Sequence, residues 1–246
     1  MQEAVKALVA ARRNRERIAA LPPGSAPATI EQAHAIQDAT VVALNDRVAG
    51  WKVSVTPDGV MRGVILDSRL VQSPATLAAR DLQPLGIEVE IAFLFDRDLP
   101  PRAGEYSAKD VADAVTAVVG IEIVSSRFTD YRTAPLMERT ADCMSNGAFI
   151  VGTHRPDWRG TDLSKLEAVL RVNGRETVRK TGGHAAGDPL LPAIALVNAL
   201  RHSTGVRAGQ LITTGTFTGL HFAAPGDSIT AEFTNFGKAE LTLEPA

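Results

Sequence analysis

Two apolar segments, each interrupted by glutamate, place the strongest constraint on how this chain can fold. Residues 85–95 contain Glu88 and Glu90 two positions apart, and residues 118–124 contain Glu122. Their Ile, Val and Phe content, their length and the Gly and Pro beside them predict β-strands. Because side chains alternate across a strand, Glu88 and Glu90 share one face of the first. The sequence therefore predicts carboxylates held within apolar strands.

Carboxylates in such a position need a compensating partner. Glu88 and Glu90 would lie about 6.5 Å apart on their strand. At an effective dielectric constant of about 20, their repulsion is on the order of 2.5 kcal/mol. Burial would raise both pKa values further, so water or a cation must compensate. Three converging carboxylates suit a hard divalent cation that keeps open positions. An exposed edge strand with charges against aggregation would show the same pair, so the pair alone leaves both alternatives open.

Composition and charge limit the class of protein. The 246 residues are 45% hydrophobic and 22% charged, which predicts a folded globular chain. A net charge of −2 argues against a nucleic-acid or acidic-lipid partner. The single cysteine, Cys143, excludes an internal disulfide and suits a reducing cytoplasm. No signal sequence or membrane-length apolar run is found, so a cytoplasmic protein with no membrane or nucleic-acid partner is expected.

The order of the predicted elements indicates an α+β fold. Residues 1–48 are predicted to form a helical N-terminal arm with helices over 2–20 and 29–46, the second begun by a capping box at Thr29. Residues 49–246 are predicted to form a β-rich catalytic domain that makes one structural unit with the arm. Helices are also predicted over 107–118 and 188–202. Strands are predicted at 51–56, 63–66, 87–95, 121–125, 148–152, 168–172, 210–214, 228–233 and 239–243.

Several segments resemble, in order, the group of 2-oxopent-4-enoate hydratases and 4-oxalocrotonate decarboxylases, within the fumarylacetoacetate hydrolase superfamily. The resemblance implies a β-rich mixed sandwich or roll of the fumarylacetoacetate hydrolase C-terminal type. It also implies a homo-oligomer and a Mg²⁺ or Mn²⁺ ion held by Glu88, Glu90 and Glu122. The segments are 50–56 (GWKVSVT), 63–67 (GVILD), 87–93 (IEVEIAF), 121–127 (IEIVSSR), 141–147 (ADCMSNG), 213–218 (TTGTFT) and 225–227 (PGD).

The same resemblance implies a lyase of aromatic catabolism acting on short 2-oxo or 2-hydroxydienoic acids. The leading hypothesis is a hydratase that adds water to a 2-hydroxy-2,4-dienoate. The alternative is a decarboxylase of a 4-oxalocrotonate-like diacid, which needs a further cation, and Arg62, Arg127 and His221 are the candidates. An acylpyruvate-type carbon–carbon hydrolase is disfavoured because the His–Glu dyad segment is missing. A non-catalytic partner subunit is disfavoured because the three glutamates and Lys52 are all present.

Roles for individual residues also follow from the resemblance. Lys52 is expected to bind the substrate carboxylate or, with a lowered pKa, to move a proton. Asp67 is expected at the pocket wall as an acid or base, although a turn-forming aspartate would look the same. His184 could reach the substrate tail. The residues expected to contact the substrate or support its site are Ser145, Thr216, Asp142 and His221.

The sequence departs from the family pattern at several positions. Ser125 stands where the family often has Asp, Cys143 where it often has Asn, and Asp188 where it often has His. The spacing from Lys52 to Asp67 is also shorter than expected. None of these changes affects the three glutamates. They leave open the substrate and the choice between hydration and decarboxylation.

Overall fold

The computed structural model describes residues 1–245, in which helices precede and flank two β-sheets. The α-helices of this part are α1 (Gln2–Asn14), α2 (Ile30–Leu44), α3 (Ala108–Ala112), α4 (Leu136–Ala141) and α5 (Leu190–Leu200). None of them is long and apolar enough to cross a membrane. The strands are β1 (Val48–Thr56), β2 (Gly59–Leu66), β3 (Leu70–Gln72), β4 (Ala75–Ala78), β5 (Gly86–Phe95), β6 (Val115–Val124), β7 (Asn146–Arg155), β8 (Glu167–Val172), β9 (Arg175–Thr181), β10 (Leu211–Thr216), β11 (His221–Phe222), β12 (Ser228–Phe233) and β13 (Gly237–Glu244).

The two sheets pack face to face around one apolar core. The first has the order β2-β1-β10-β5-β6-β7-β3, with β11 also paired to β5, and the second has the order β4-β13-β12-β8-β9. Ile91 and Ile121 of the first sheet share a buried cluster with Ile229 and Leu241 of the second. Gly152 allows the sheets to approach closely, because a Cβ there would lie 2.3 Å from the Lys238 carbonyl oxygen. The predicted α+β sandwich-like fold is confirmed.

Strands β5 and β6 place the three glutamates on one face. The strands are antiparallel, with Glu88 opposite Glu122 and Glu90 opposite Gly120. Directly opposed residues of an antiparallel pair point to the same side of the sheet. A side chain at position 120 would meet the Phe149 ring at 2.1 Å, so only glycine fits beside Glu90. The alternating residues on the other face are fully buried in the inter-sheet core.

The N-terminal helices pack against the end of β6 and against α4. A second apolar cluster joins Leu8 of α1 and Ile36 of α2 to Phe128 and Ala141. Gln37 of α2 is fully buried, and its amide donates to the carbonyl oxygens of Arg62 and Thr140. These contacts bring α4 and the segment after β6 to the same side of the first sheet as the glutamates.

Several predicted boundaries are wrong. Helix α1 ends at Asn14 rather than at residue 20, because Arg15 turns into the left-handed conformation with φ 59°. The helix predicted over 107–118 stops at Ala112, and β6 begins at Val115. Residues 115–119 are rich in β-branched side chains, and their pairing with β5 is continuous over the whole of β6. Tertiary pairing thus overrides the helical pattern.

Candidate metal centre

The structure brings the three glutamates together. One carboxylate oxygen from each of Glu88, Glu90 and Glu122 lies within 4.8 Å of the other two. Glu90 and Glu122 are buried, and Glu88 is half-buried towards a cavity. The edge-strand alternative, in which the pair stays exposed, is therefore wrong. Three converging, desolvated carboxylates form a site of concentrated negative charge.

Polar groups from neighbouring strands hold two of these carboxylates in place. The Glu90 carboxylate accepts hydrogen bonds from the Thr213 hydroxyl and, at 3.2 Å, from the Gly215 backbone amide. Glu122 Oε1 accepts from Lys52 Nζ at 2.5 Å and from Asn146 Nδ2 at 3.1 Å. Glu122 Oε2 is buried without a hydrogen-bond partner in residues 1–245. This oxygen is free to bind a cation.

Burial and mutual repulsion disfavour the charged form of the trio. Burial raises the pKa of Glu88 to about 7, with Lys52 opposing the shift and Glu122 adding to it. Burial, Glu122 and Glu88 raise the pKa of Glu90 well above its ordinary value. Burial alone would lower the pKa of Lys52, but the charges of Glu122 and Glu88 outweigh it and the pKa is raised. In the metal-free chain the pKa of Lys52 is therefore raised and not lowered, and a proton-transfer role for Lys52 stays a prediction.

The donor set fits a hard divalent cation. All three side chains offer carboxylate oxygens, which Mg²⁺ and Mn²⁺ prefer, and neither His nor Cys belongs to the group. The buried Glu122 oxygen lacks a partner, and Lys52 supplies one positive charge against three carboxylates. A divalent ion would neutralise the remainder, which is the compensation that buried charges require.

A cavity of about 210 Å³ opens beside Glu88 and Lys52. Ser145 lines it as predicted, at the end of a short turn in which Cys143, Met144 and Ser145 all have positive φ between 51° and 58°. Such a run of left-handed residues is strained and persists only where the surroundings fix it. Gly63 permits it, because a Cβ there would lie 2.4 Å from the Cys143 carbonyl oxygen. The other lining residues are Val124, Tyr131, Leu136, Arg139, Thr140, Met144 and Leu220.

Asp67 is not at this cavity, so its prediction as a pocket acid or base is wrong. It opens a short 3-10 turn after β2, where its side chain is 45% exposed and pairs with the Arg47 guanidinium. The turn-forming alternative describes it better. The sequence spacing from Lys52 could not reveal that Arg47, which directly precedes β1, would pair with this carboxylate.

Asp142 is also placed away from the cavity. Its side chain is fully buried, with Oδ1 accepting from Arg127 Nε at 2.6 Å and from Arg12 Nη2 at 3.1 Å. Its oxygens are thus occupied, and a direct substrate contact is not supported. Arg127 in turn donates to the Asn146 carbonyl oxygen at 3.1 Å, and Asn146 donates to Glu122. Asp142 therefore supports the metal centre only through this chain of contacts.

Thr216, His221 and His184 make local contacts instead of lining the cavity. The Thr216 hydroxyl accepts from the Gly219 amide at 3.0 Å and organises the 216–219 turn, although Thr216 itself lies opposite Glu90. His221 Nε2 lies 3.2 Å from the Thr218 carbonyl oxygen. His184 is buried, with Nε2 2.9 Å from the Thr214 carbonyl oxygen. Substrate contacts predicted for these three are not supported.

Three residues at the site were missed by the sequence predictions. Thr213 and Asn146 lie in segments that were quoted, but Thr213 is placed on the face of Glu90 by its pairing with Ala92, which the sequence does not reveal. Arg139 had no motif around it and lies on α4, a helix that was not predicted. It lines the cavity, and its Nε is buried without a partner in the described chain. Arg62, Arg127 and His221, the cations suggested from the sequence, do not line this cavity. Arg62 pairs with Asp38 instead.

Comparisons with known proteins identify the family and two groups of similar enzymes. The family model described as fumarylacetoacetate (FAA) hydrolase C-terminal matches residues 36–244. The chain is 27% identical to a 2-keto-4-pentenoate hydratase of Paraburkholderia xenovorans, covering 99% of this chain and 94% of the relative. It is 31% identical to a 4-oxalocrotonate decarboxylase of a Pseudomonas species, over 63% of this chain and 59% of the other.

Among solved structures, the fold matches 4-oxalocrotonate decarboxylase from Pseudomonas putida G7 complexed with magnesium and adipate. The TM-score is 0.84 at 23% identity, covering 99% of this chain and 98% of the other. The same enzyme complexed with calcium and acetate matches with a TM-score of 0.81. At this identity the likeness shows a shared fold over nearly the entire length of both chains.

Proposed function

The chain belongs to the fumarylacetoacetate hydrolase C-terminal family, and on that premise we propose that it is a metal-dependent hydratase. It adds water to a short 2-hydroxy-2,4-dienoate, such as the enol of 2-oxopent-4-enoate, to give a 4-hydroxy-2-oxo acid in aromatic catabolism. The observation that carries the proposal is the convergence of Glu88, Glu90 and Glu122 beside a cavity lined by Lys52. The relatives named as 2-keto-4-pentenoate hydratases support the choice of reaction.

The proposed ligands of Mg²⁺ or Mn²⁺ are the three glutamates. When bound, such an ion polarises the carboxylate and 2-oxygen of a 2-oxo acid and stabilises negative charge that develops on them. Thr213 and Asn146 fix the orientation of Glu90 and Glu122 through the hydrogen bonds described above. Groups that orient ligands in this way usually affect both metal affinity and activity.

Lys52 is proposed to bind and orient the substrate carboxylate. Its ammonium already donates to Glu122 and lines the cavity, so it can also donate a hydrogen bond to a substrate carboxylate. Ser145 offers a hydroxyl at the same cavity wall. The cavity volume of about 210 Å³ is below the ~300–1,000 Å³ of sites for drug-sized ligands, which favours a short acid.

One observation favours a second candidate, decarboxylation of a 4-oxalocrotonate-like diacid. Arg139 lines the cavity with Lys52 and has a buried Nε without a hydrogen-bond partner among residues 1–245. A guanidinium in this state is suited to a second carboxylate, which it can bind with two parallel hydrogen bonds. Arg139 therefore supplies the further cation that a diacid requires.

We also propose that the chain forms a homo-oligomer, as its family resemblance implies. The buried free thiol of Cys143 suits the reducing cytoplasm.

An assay of the purified protein with Mg²⁺ separates the candidates. 2-Hydroxypenta-2,4-dienoate and 2-oxohex-3-enedioate are offered separately, and dienol absorbance and CO₂ are followed. Loss of absorbance without CO₂ supports the hydratase, and CO₂ from the diacid supports the decarboxylase. If neither substrate reacts while calorimetry shows bound Mg²⁺, both candidates are contradicted, and a non-catalytic partner subunit or an acylpyruvate hydrolase remains.

A further inference from the structure

A second cavity, of about 420 Å³, shares no lining residue with the cavity at the metal centre. It lies between the end of α1, the turn after β2 and the segment that follows β6. Seven arginines line it against three acids, Glu16, Asp46 and Asp81. Of its lining residues, Arg127 was described above as one link in the contacts that reach the metal centre through Asn146. We call it the arginine cavity.

The acids near the arginine cavity are too few for its arginines. Asp142 serves both Arg12, at 3.1 Å, and Arg127, at 2.6 Å. Asp81 similarly lies 3.1 Å from Arg15 and 3.9 Å from Arg80. In each case one carboxylate faces two guanidinium groups, so positive charge remains.

Two of the arginines that face the cavity have donors left over. Arg12 has a side chain only 12% exposed, and its Nε is buried with no hydrogen-bond partner in the described chain. Arg69 is half-buried and takes part in none of the ion pairs formed among residues 1–245. Burial and the charge of Arg12 lower the pKa of Arg69 although Asp81 and Asp46 act in the opposite direction, as expected for a guanidinium placed beside a second cation. An anion in the cavity would accept a hydrogen bond from Arg12 Nε and would neutralise positive charge beside Arg69.

We propose that the arginine cavity binds a small oxyanion with at least two negative charges, held by Arg12 and Arg69. Carboxylate and phosphate groups both present neighbouring oxygen acceptors that a planar guanidinium fork can bind with two hydrogen bonds. The cavity is concave and the chain has a net charge of −2, which favours a small ligand over a nucleic acid or a membrane surface. The proposal does not depend on the reaction at the metal centre.

Calorimetry on the full, metal-free chain tests the proposal with two probes, inorganic pyrophosphate and citrate, at constant ionic strength. We expect saturable binding of one ion per chain for at least one probe. Tighter binding of pyrophosphate assigns a phosphate ligand, and tighter binding of citrate assigns a polycarboxylate. Arg69→Gln should weaken this binding by about tenfold or more, since charge-assisted hydrogen bonds are lost.

Two matched variants make the outcome decisive. Arg175→Gln removes the same charge from an exposed residue of β9, and Arg139→Gln removes it from the metal-centre cavity. Both should leave the affinity unchanged. The proposal is overturned if neither probe binds saturably in the millimolar range, or if Arg139→Gln weakens binding and Arg69→Gln does not. It is also overturned if Arg69→Gln alters only the oligomeric mass, which would assign the arginines to a contact between copies.

Discussion

The metal centre and the arginine cavity flank the end of β6 with opposite charge imbalances. Val124 lines the first cavity, and Ser125, the next residue, lines the second. Three carboxylates face one lysine at the metal centre, whereas pairs of arginines share single carboxylates at the other site. Neither the excess negative charge at the metal centre nor the excess positive charge in the arginine cavity is neutralised by nearby side chains of the described residues. The difference indicates that each cavity is built for a ligand of the opposite sign.

The largest expected effect tests the connection between the two regions. Asp142→Asn keeps the shape of the side chain but leaves Arg12 and Arg127 without their shared countercharge. Breaking a buried pair of this kind costs about 3–5 kcal/mol in the free energy of unfolding, measured by urea denaturation. Asp67→Asn is the control and should lose less than about 1 kcal/mol, because its pair with Arg47 is exposed. Equal losses in the two variants would show that Asp142 does not join the regions.

A second variant removes the one lysine of the metal centre. Lys52→Met should lower kcat/KM by about 100-fold, since the substrate carboxylate loses a charge-assisted partner. Its affinity for Mn²⁺ should be unchanged or tighter, because a cation 2.5 Å from Glu122 is gone. Steady-state kinetics and calorimetry on the same preparation separate the two effects. A parallel loss of metal affinity would mean that Lys52 is needed to assemble the ligands.

The dependence of stability on pH should differ between the metal-free and the metal-loaded chain. Because the pKa of Glu88 is raised from 4.5 to about 7, the folded state binds more protons than the unfolded state between these values. The free energy of unfolding of the metal-free chain should therefore fall as pH rises through this window, on the order of 1–2 kcal/mol for a partly solvated group. Mg²⁺ should stabilise the chain more at the upper end, where protons no longer compete. Denaturation at the low-pH and high-pH ends of this window, with and without Mg²⁺, measures the direction of the change. A free energy of unfolding that rises with pH in the metal-free chain would contradict the prediction.

The smallest expected effect concerns substrate choice. Arg139→Gln should reduce kcat/KM for 2-oxohex-3-enedioate relative to 2-hydroxypenta-2,4-dienoate by about tenfold, since only the diacid offers it a second carboxylate. Arg62→Gln is a suitable control, because Arg62 pairs with Asp38 outside the cavity. The ratio should not change in the control. An unchanged ratio in Arg139→Gln would remove this residue from substrate recognition.

What the sequence predicts well depends on how far apart the interacting residues lie. The position of Glu88 and Glu90 on one face follows from alternation within a single strand, and the family resemblance is confirmed by the match over residues 36–244. Placing Glu122 beside this pair requires the register between β5 and β6, which strand alternation does not give. The family resemblance indicated that Glu122 belongs to the site, and in the structure Glu122 lies opposite Glu88. Local pattern and family resemblance together were sufficient for the trio.

Contacts between distant segments were not predictable. Asp67 was misplaced because Arg47, which precedes β1, pairs with it beside the neighbouring ends of β1 and β2. Arg12 and Arg69 come from segments without a motif, and the quoted segment 121–127 gave no sign that Arg127 would join them, so the arginine cavity exists only in the folded chain. Strand β9 was missed because it is an exposed edge strand of mainly polar residues, without the apolar alternation that marks a half-buried strand.

Calorimetric titration of Mn²⁺ into the natural chain and into Glu90→Gln tests the central claim most directly. Glutamine keeps the shape of the Glu90 side chain and an oxygen that can accept from Thr213 and Gly215, so the fold should remain as stable. We predict one Mn²⁺ per chain for the natural sequence and an affinity at least about 100-fold lower for Glu90→Gln, because loss of a ligand should cost more than loss of a group that orients one. Equal Mn²⁺ affinity in the two proteins would contradict the assignment of Glu88, Glu90 and Glu122 as the metal centre.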